Sequence, residues 1–169
     1  MATGQPQEVT PAKIWLAAAA VQANTVVYIV AWALLTHTGA IPEEGLSPME
    51  PDVANLLGIV LLVLGIAFVA ASLVARSVML ARRPPGVDPL AHYLRTMLVS
   101  MALGTTPSIF GLVYALMTGT VQIPLILWGC GLASGILLFP SRSLLESLVA
   151  SRESAAALRD AAGGPKELR

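Results

Sequence analysis

The sequence predicts an all-α integral membrane protein: a four-helix bundle with both termini on the cytoplasmic side, followed by a short amphipathic cytoplasmic helix. Three observations carry this. First, the stretches 14–35, 53–75, 97–117 and 121–139 contain no Asp, Glu, Lys, Arg or His, and about 20 apolar residues suffice to cross the hydrocarbon core as a helix. Second, only 12% of the 169 residues are charged, half of the roughly 25% found in soluble domains, and the mean hydropathy is +0.75. Third, the ten basic residues are segregated. Lys13 precedes the first stretch, Arg76, Arg82, Arg83 and Arg95 lie between the second and third, and Arg142, Arg152, Arg159, Lys166 and Arg169 follow the fourth. The segment 36–52 carries Glu43, Glu44, Glu50 and Asp52 without a cation, and the turn 118–122 is uncharged. Lys and Arg stay on the cytoplasmic side, which sets the topology as N-in, C-in.

Residues 1–13 read as a loose cytoplasmic tail. The first apolar stretch is too long, and its basic flank too sparse, for a cleavable signal, so it is a retained anchor. The outer loop is stiffened by Pro42, Pro48 and Pro51, and Asp52 is placed to cap the second helix. That helix extends beyond the bilayer until Pro84-Pro85 stops it. Its arginines Arg76, Arg82 and Arg83, with Arg95 opposite, are set to meet lipid headgroups. Asp88-Pro89 opens the third helix.

Residues 140–169 change character. Ser143-Leu144-Leu145-Glu146 has the form of a capping box, and Leu144, Leu145, Leu148 and Val149 make an apolar stripe at helical spacing. This helix either lies on the inner leaflet or docks on a partner. The end, from Ala161 through Gly163-Gly164-Pro165, reads as disordered.

Small and polar residues mark the faces along which the membrane helices meet. Gly58, Gly65 and Ser72 recur every seven residues on the second helix. Ser100, Gly104, Ser108 and Gly111 line the third, and Gly131 and Gly135 stand at GxxxG spacing on the fourth. Small residues let helix backbones approach closely where no hydrophobic effect drives association. The expectation is compact packing of one bundle, with oligomerisation as the alternative. Gln22, Asn24, Thr105, Thr106 and Ser108 form the candidate polar cluster, acting either as interhelical hydrogen-bond partners or as the walls of a polar cleft. Pro107 removes a backbone donor from the third helix and predicts a kink.

The hairpin of the second and third stretches resembles that of the proteolipid c subunit of rotary ATP synthases. The residues carrying the likeness are Ala81-Arg82-Arg83-Pro84 in the loop, Leu94-Arg95-Thr96, and Ile109-Phe110-Gly111-Leu112-Val113. Aligned on Phe110-Gly111, that family's ion-binding carboxylate falls at Thr105. A hydroxyl cannot titrate as a rotor acid must, so the resemblance does not carry ion transport with it. The chain also resembles four-span bacterial membrane proteins with such a hairpin and a Phe-Pro-Arg-like end to the last span, here Phe139-Pro140-Ser141-Arg142. That likeness implies the bacterial inner membrane.

These observations favour a non-catalytic membrane protein: a small structural, accessory or assembly subunit whose partners are lipids and either itself or a larger membrane complex. The alternative is a small transporter or channel with a polar cleft around Asn24 and Thr105. No catalytic, metal or cofactor site is expected. The single Cys130 forms no intrachain disulfide or thiolate cluster, His37 and His92 belong near opposite membrane surfaces, and the zero net charge argues against nucleic acid.

Overall fold

The computed structural model describes residues 9–42, 44–47, 49–84 and 86–161. The predicted tail over residues 1–8, the predicted disorder from residue 162 onward, and Glu43, Pro48 and Pro85 lie outside them, as do the side chains of Arg159, Lys166 and Arg169. Five helices and no strand occur among the described residues: α1 (Pro11–His37), α2 (Pro51–Ala81), α3 (Pro89–Thr118), α4 (Gln122–Leu138) and α5 (Arg142–Ala161). α1, α2 and α3 are each long and apolar enough to cross a membrane. α4 has 17 residues, about 26 Å at the α-helical rise, and meets α5 at a bend of 41°.

The helix ends follow local chemistry. Thr10 and Asp88 accept from the backbone N–H groups of Lys13 and Ala91 and so cap α1 and α3. Pro51 takes the first helical position of α2, so the cap is Glu50, and Asp52 sits in the first turn instead of capping it. At α5 the cap is Ser141, whose Oγ accepts from Leu144 N–H, two residues before the Ser143 expected from the capping-box pattern. Phe139 is extended (φ −61°, ψ 138°) because Pro140 disfavours helical backbone in the residue before it.

α3 is the central element. It packs against α1, α2, α4 and α5, while α1 and α2 each lean on both α3 and α4. Fourteen residues of α3 are buried, against three each on α1 and α2. On α2 those three are Gly58, Gly65 and Ser72, the predicted seven-residue stripe. A side chain at Gly65 would press on Leu127 and on the Pro107 ring, and one at Gly58 on Ile123 and Tyr114. The glycines are notches into which α3 and α4 fit. α3 runs as one unbroken helix through Pro107, whose ring occupies the Gly65 notch.

Helices consecutive in the chain run antiparallel, so each end of the bundle gathers particular residues. At one end Tyr114 Oη donates to Ala54 O at 3.1 Å. The loop after α1 folds over the end of α3, where Leu46 N–H and Ser47 N–H donate to Leu116 O and Met117 O at 2.9 and 3.2 Å. These bonds satisfy carbonyls that the helix itself leaves open. Gly45 makes the approach possible: its φ is +81°, and any Cβ there would strike the Met117 carbonyl.

The other end holds the main apolar core, built from Ile14 and Ala18 of α1, Leu90, Tyr93, Met97 and Met101 of α3, Leu138 of α4 and Leu145 of α5. The apolar stripe of α5 is therefore used against the bundle itself, with Leu144, Leu148 and Val149 packed beside the same core. Arg152 of α5 pairs with Asp88 at 3.5 Å.

Candidate functional site

A group of interior polar residues converges on a seam where α1, α3 and α4 cross, while the buried hydroxyls of Ser72, Ser100 and Thr105 bond within their own helices. Thr25 and Ser108 are fully buried, and their hydroxyls are hydrogen-bonded at 3.1 Å. One turn further along α4, Ser134 is also fully buried. Its Oγ lies 2.6 Å from Gly104 O and 2.9 Å from Gly131 O, a donor shared between α3 and its own helix. Trp128 Nε1 donates to Ser108 O at 3.1 Å, and its ring meets Trp32 at a centroid distance of 5.7 Å. Gln22 Nε2 reaches across to Leu132 O at 3.3 Å.

Glycines set the spacing of this seam. A Cβ on Gly131 would fall on Ser108 Oγ, and one on Gly135 would fall on the amide of Gln22. Gln22 Oε1 is buried and has no N–H or O–H partner among the described residues. The Cα–H of Gly135 stands where that Cβ would be, so it points at this oxygen. Weak Cα–H···O contacts of this kind recur where helices cross closely. Gly104 and Gly111 leave the room that Ser134 and Trp128 fill: their Cβ positions lie 2.9 Å from Ser134 Oγ and from Trp128 Nε1.

Of the five residues in the candidate cluster, the structure brings Gln22 and Ser108 into this seam. Thr105 is buried beside it, but its hydroxyl donates back to Ala102 O at 3.2 Å. Thr106 donates to the same carbonyl at 3.0 Å, the usual alternative for hydroxyls within a helix. Asn24 is exposed on the outer side of α1 and does not meet Thr105. Thr25, Trp128 and Ser134 complete the seam without having been singled out in the sequence. The available signal was spacing: Thr25 follows Gln22, and Ser134 follows Gly131, by three residues, which places each pair on one helix face.

The arginines divide in the same way. Arg82, Arg83 and Arg95 are exposed, with Arg83 donating to Val87 O at 3.1 Å. Arg76 turns inward, its Nη1 donating to Leu137 O at 3.1 Å and its Nη2 to Tyr93 Oη at 3.4 Å. A cation at the end of α4 meets the negative pole of that helix and satisfies one of its open carbonyls.

Every group in the seam is neutral. Hydroxyls, an amide and an indole can dock helices and fix their rotation, but they offer no titratable carrier for a proton and no charge for an ion. Among the described residues no group of three or more His, Cys, Asp or Glu side chains converges, and Cys130 is half-buried on α4. A double-mutant cycle checks the seam directly: Thr25→Val and Ser108→Ala are expected to couple by about 0.6 kcal/mol, and by no more than about 1.7 kcal/mol, in reversible unfolding in mild detergent. Strict additivity would mean that the two hydroxyls do not meet. Comparison with protein-family models, with curated proteins and with solved structures finds no match for this chain.

Proposed function

We propose that this chain is a four-span protein of the bacterial inner membrane, with both termini cytoplasmic, serving as a non-catalytic accessory or assembly subunit. The observation that carries the reading is the closed polar seam. Thr25, Ser108 and Ser134 are fully buried and bonded to neighbouring helices, and Gln22 is anchored to α4. A translocation path needs polar groups that face a wet cavity, and pumps and transporters normally add ionisable ones. Here the seam hydroxyls are bonded to neighbouring helices, while of Asn24 and Thr105, the pair a cleft would need, the first is exposed and the second is buried with its hydroxyl bonded within its own helix. The topology rests on the charge bias. The basic residues cluster at the end that holds Arg76, Asp88 and α5, and the loop with Glu44 and Glu50 folds over the opposite end of α3.

Purification in mild detergent followed by mass analysis of co-purifying chains tests this reading. A stoichiometric membrane partner, or a defined self-assembly, with no solute or ion flux after reconstitution into liposomes is the expected result. Flux that depends on Thr105 or Ser108 would overturn it in favour of a transporter.

A further inference from the structure

We infer that α1 is the interface through which two copies of this chain associate in the membrane, with Asn24 of each copy hydrogen-bonded to Asn24 of the other. The inference rests on the membrane reading, because an amide is costly only where water cannot reach it. Asn24 is the middle residue of the 27-residue α1, which places it at the depth furthest from either membrane surface. It is exposed on the outer face of the bundle, and no hydrogen bond to it occurs among the described residues. One residue further on, Thr25 is fully buried and bonded. The rotation of α1 that serves the seam therefore keeps Gln22 bonded to α4 through its Nε2 and turns Asn24, which has no hydrogen bond among the described residues, outward into hydrocarbon. There it needs a partner from another chain.

The surrounding residues say what kind of partner fits. Ala17, Ala20, Asn24, Val27, Ala31 and Leu34 follow one another at steps of three and four, the seven-residue repeat of a left-handed helix pair. Val27 and Leu34 are 57% and 58% exposed and Ala20 is exposed, while Ala31 is half-buried and Ala17, half-buried, also packs against the bundle's own apolar core. Alanines at three of the six positions permit close backbone approach. A single Asn in such a repeat sets register and stoichiometry.

A second copy satisfies that Asn by symmetry. Two copies inserted under the same charge bias have the same orientation, so their α1 helices pair in parallel about a two-fold axis normal to the membrane. Each Asn24 then lies opposite its counterpart at the same depth. Carboxamides carry both a donor and an acceptor, so the pair is self-complementary without any further group. An unrelated helix would need a polar residue placed at that same depth by coincidence.

The test uses the full chain with Cys130→Ser as background. Alkaline carbonate extraction first establishes membrane insertion. Oligomeric state is then measured by single-molecule photobleaching in liposomes across a range of protein-to-lipid ratios, and Val27→Cys is oxidised to trap the pair. The expected result is a dimer retained in the carbonate pellet, trapped through Val27→Cys and not through Ile66→Cys on α2. Asn24→Leu should weaken association about 5- to 30-fold, Asn24→Gln should largely preserve it, and Ala20→Ile should weaken it by blocking close approach. A monomer at every ratio, a dimer indifferent to Asn24→Leu and Ala20→Ile, or trapping through Ile66→Cys alone would overturn the inference while leaving the membrane reading intact. Release of the chain into the carbonate wash would overturn the membrane reading itself, and the inference with it.

Discussion

Trp128→Ala is expected to destabilise the bundle by about 3 kcal/mol, near the lower end of the 3–5 kcal/mol range for aromatic truncation in a core. Trp128 is 2% exposed. It fills the space that Gly111 leaves on α3, donates to Ser108 O, and meets Trp32. Lipid competes with a protein interior as an apolar solvent, so the transfer part of the usual penalty is small here. What remains is the void, whose lining loses dispersion contacts that nothing replaces, together with the second hydrogen bond at the Ser108 carbonyl. Trp128→Phe keeps much of the ring volume and should lose only about 1 kcal/mol for the missing donor. Leu125→Ala on the exposed face of the same helix (57% exposed) serves as the control. Reversible unfolding in mild detergent, followed by circular dichroism, measures all three. Equal losses for Trp128→Ala and Leu125→Ala would remove the α3–α4 seam as the stabilising contact.

The second large effect is expected at Gly135. Gly135→Leu has nowhere to put its first carbon, because that position is occupied by the Gln22 amide. Overpacking typically costs about 1–3 kcal/mol, and displacing Gln22 also breaks its bond to Leu132 O, worth about 0.6 to 1.7 kcal/mol in a membrane interior. A combined loss of about 2–5 kcal/mol follows. Gly129→Leu on the same helix points into open space and should change stability by less than about 0.5 kcal/mol. A specific rescue follows from the geometry. Shortening Gln22 to Ala removes the obstructing amide, so Gln22→Ala should recover part of the loss in the Gly135→Ala background. Additive losses in that pair would show that α1 does not cross α4 at this point.

Much of the architecture could be read from local sequence. The helices α1 to α3 follow from apolar length, and Pro51, Asp88-Pro89 and Pro140 mark boundaries because their effects act within a residue or two. Gly58, Gly65 and Ser72 were legible as a contact stripe because size alone marks them out on an otherwise bulky helix. The caps of α2 and α5 were misplaced by two residues. Pro51 at the first helical position of α2 moves the cap back to Glu50, and Ser141 offers α5 an earlier hydroxyl than Ser143 does.

Which polar residues of α1 meet the seam was a different matter. Gln22, Asn24 and Thr25 lie within four positions, roughly 100° apart per residue around the helix. In a soluble helix the apolar stripe would orient them. α1 is apolar on its lipid side and its packed side alike, so no sequence contrast distinguishes inward from outward. The sequence by itself determined that the chain is helical, where its apolar runs begin and end, and that its cations and acids separate. Only the tertiary structure decided that Thr25 turns in to Ser108 while Asn24 turns out. That choice depends on where Gly131 and Gly135 let α1 approach α4, a relation between residues more than a hundred positions apart that no local pattern encodes.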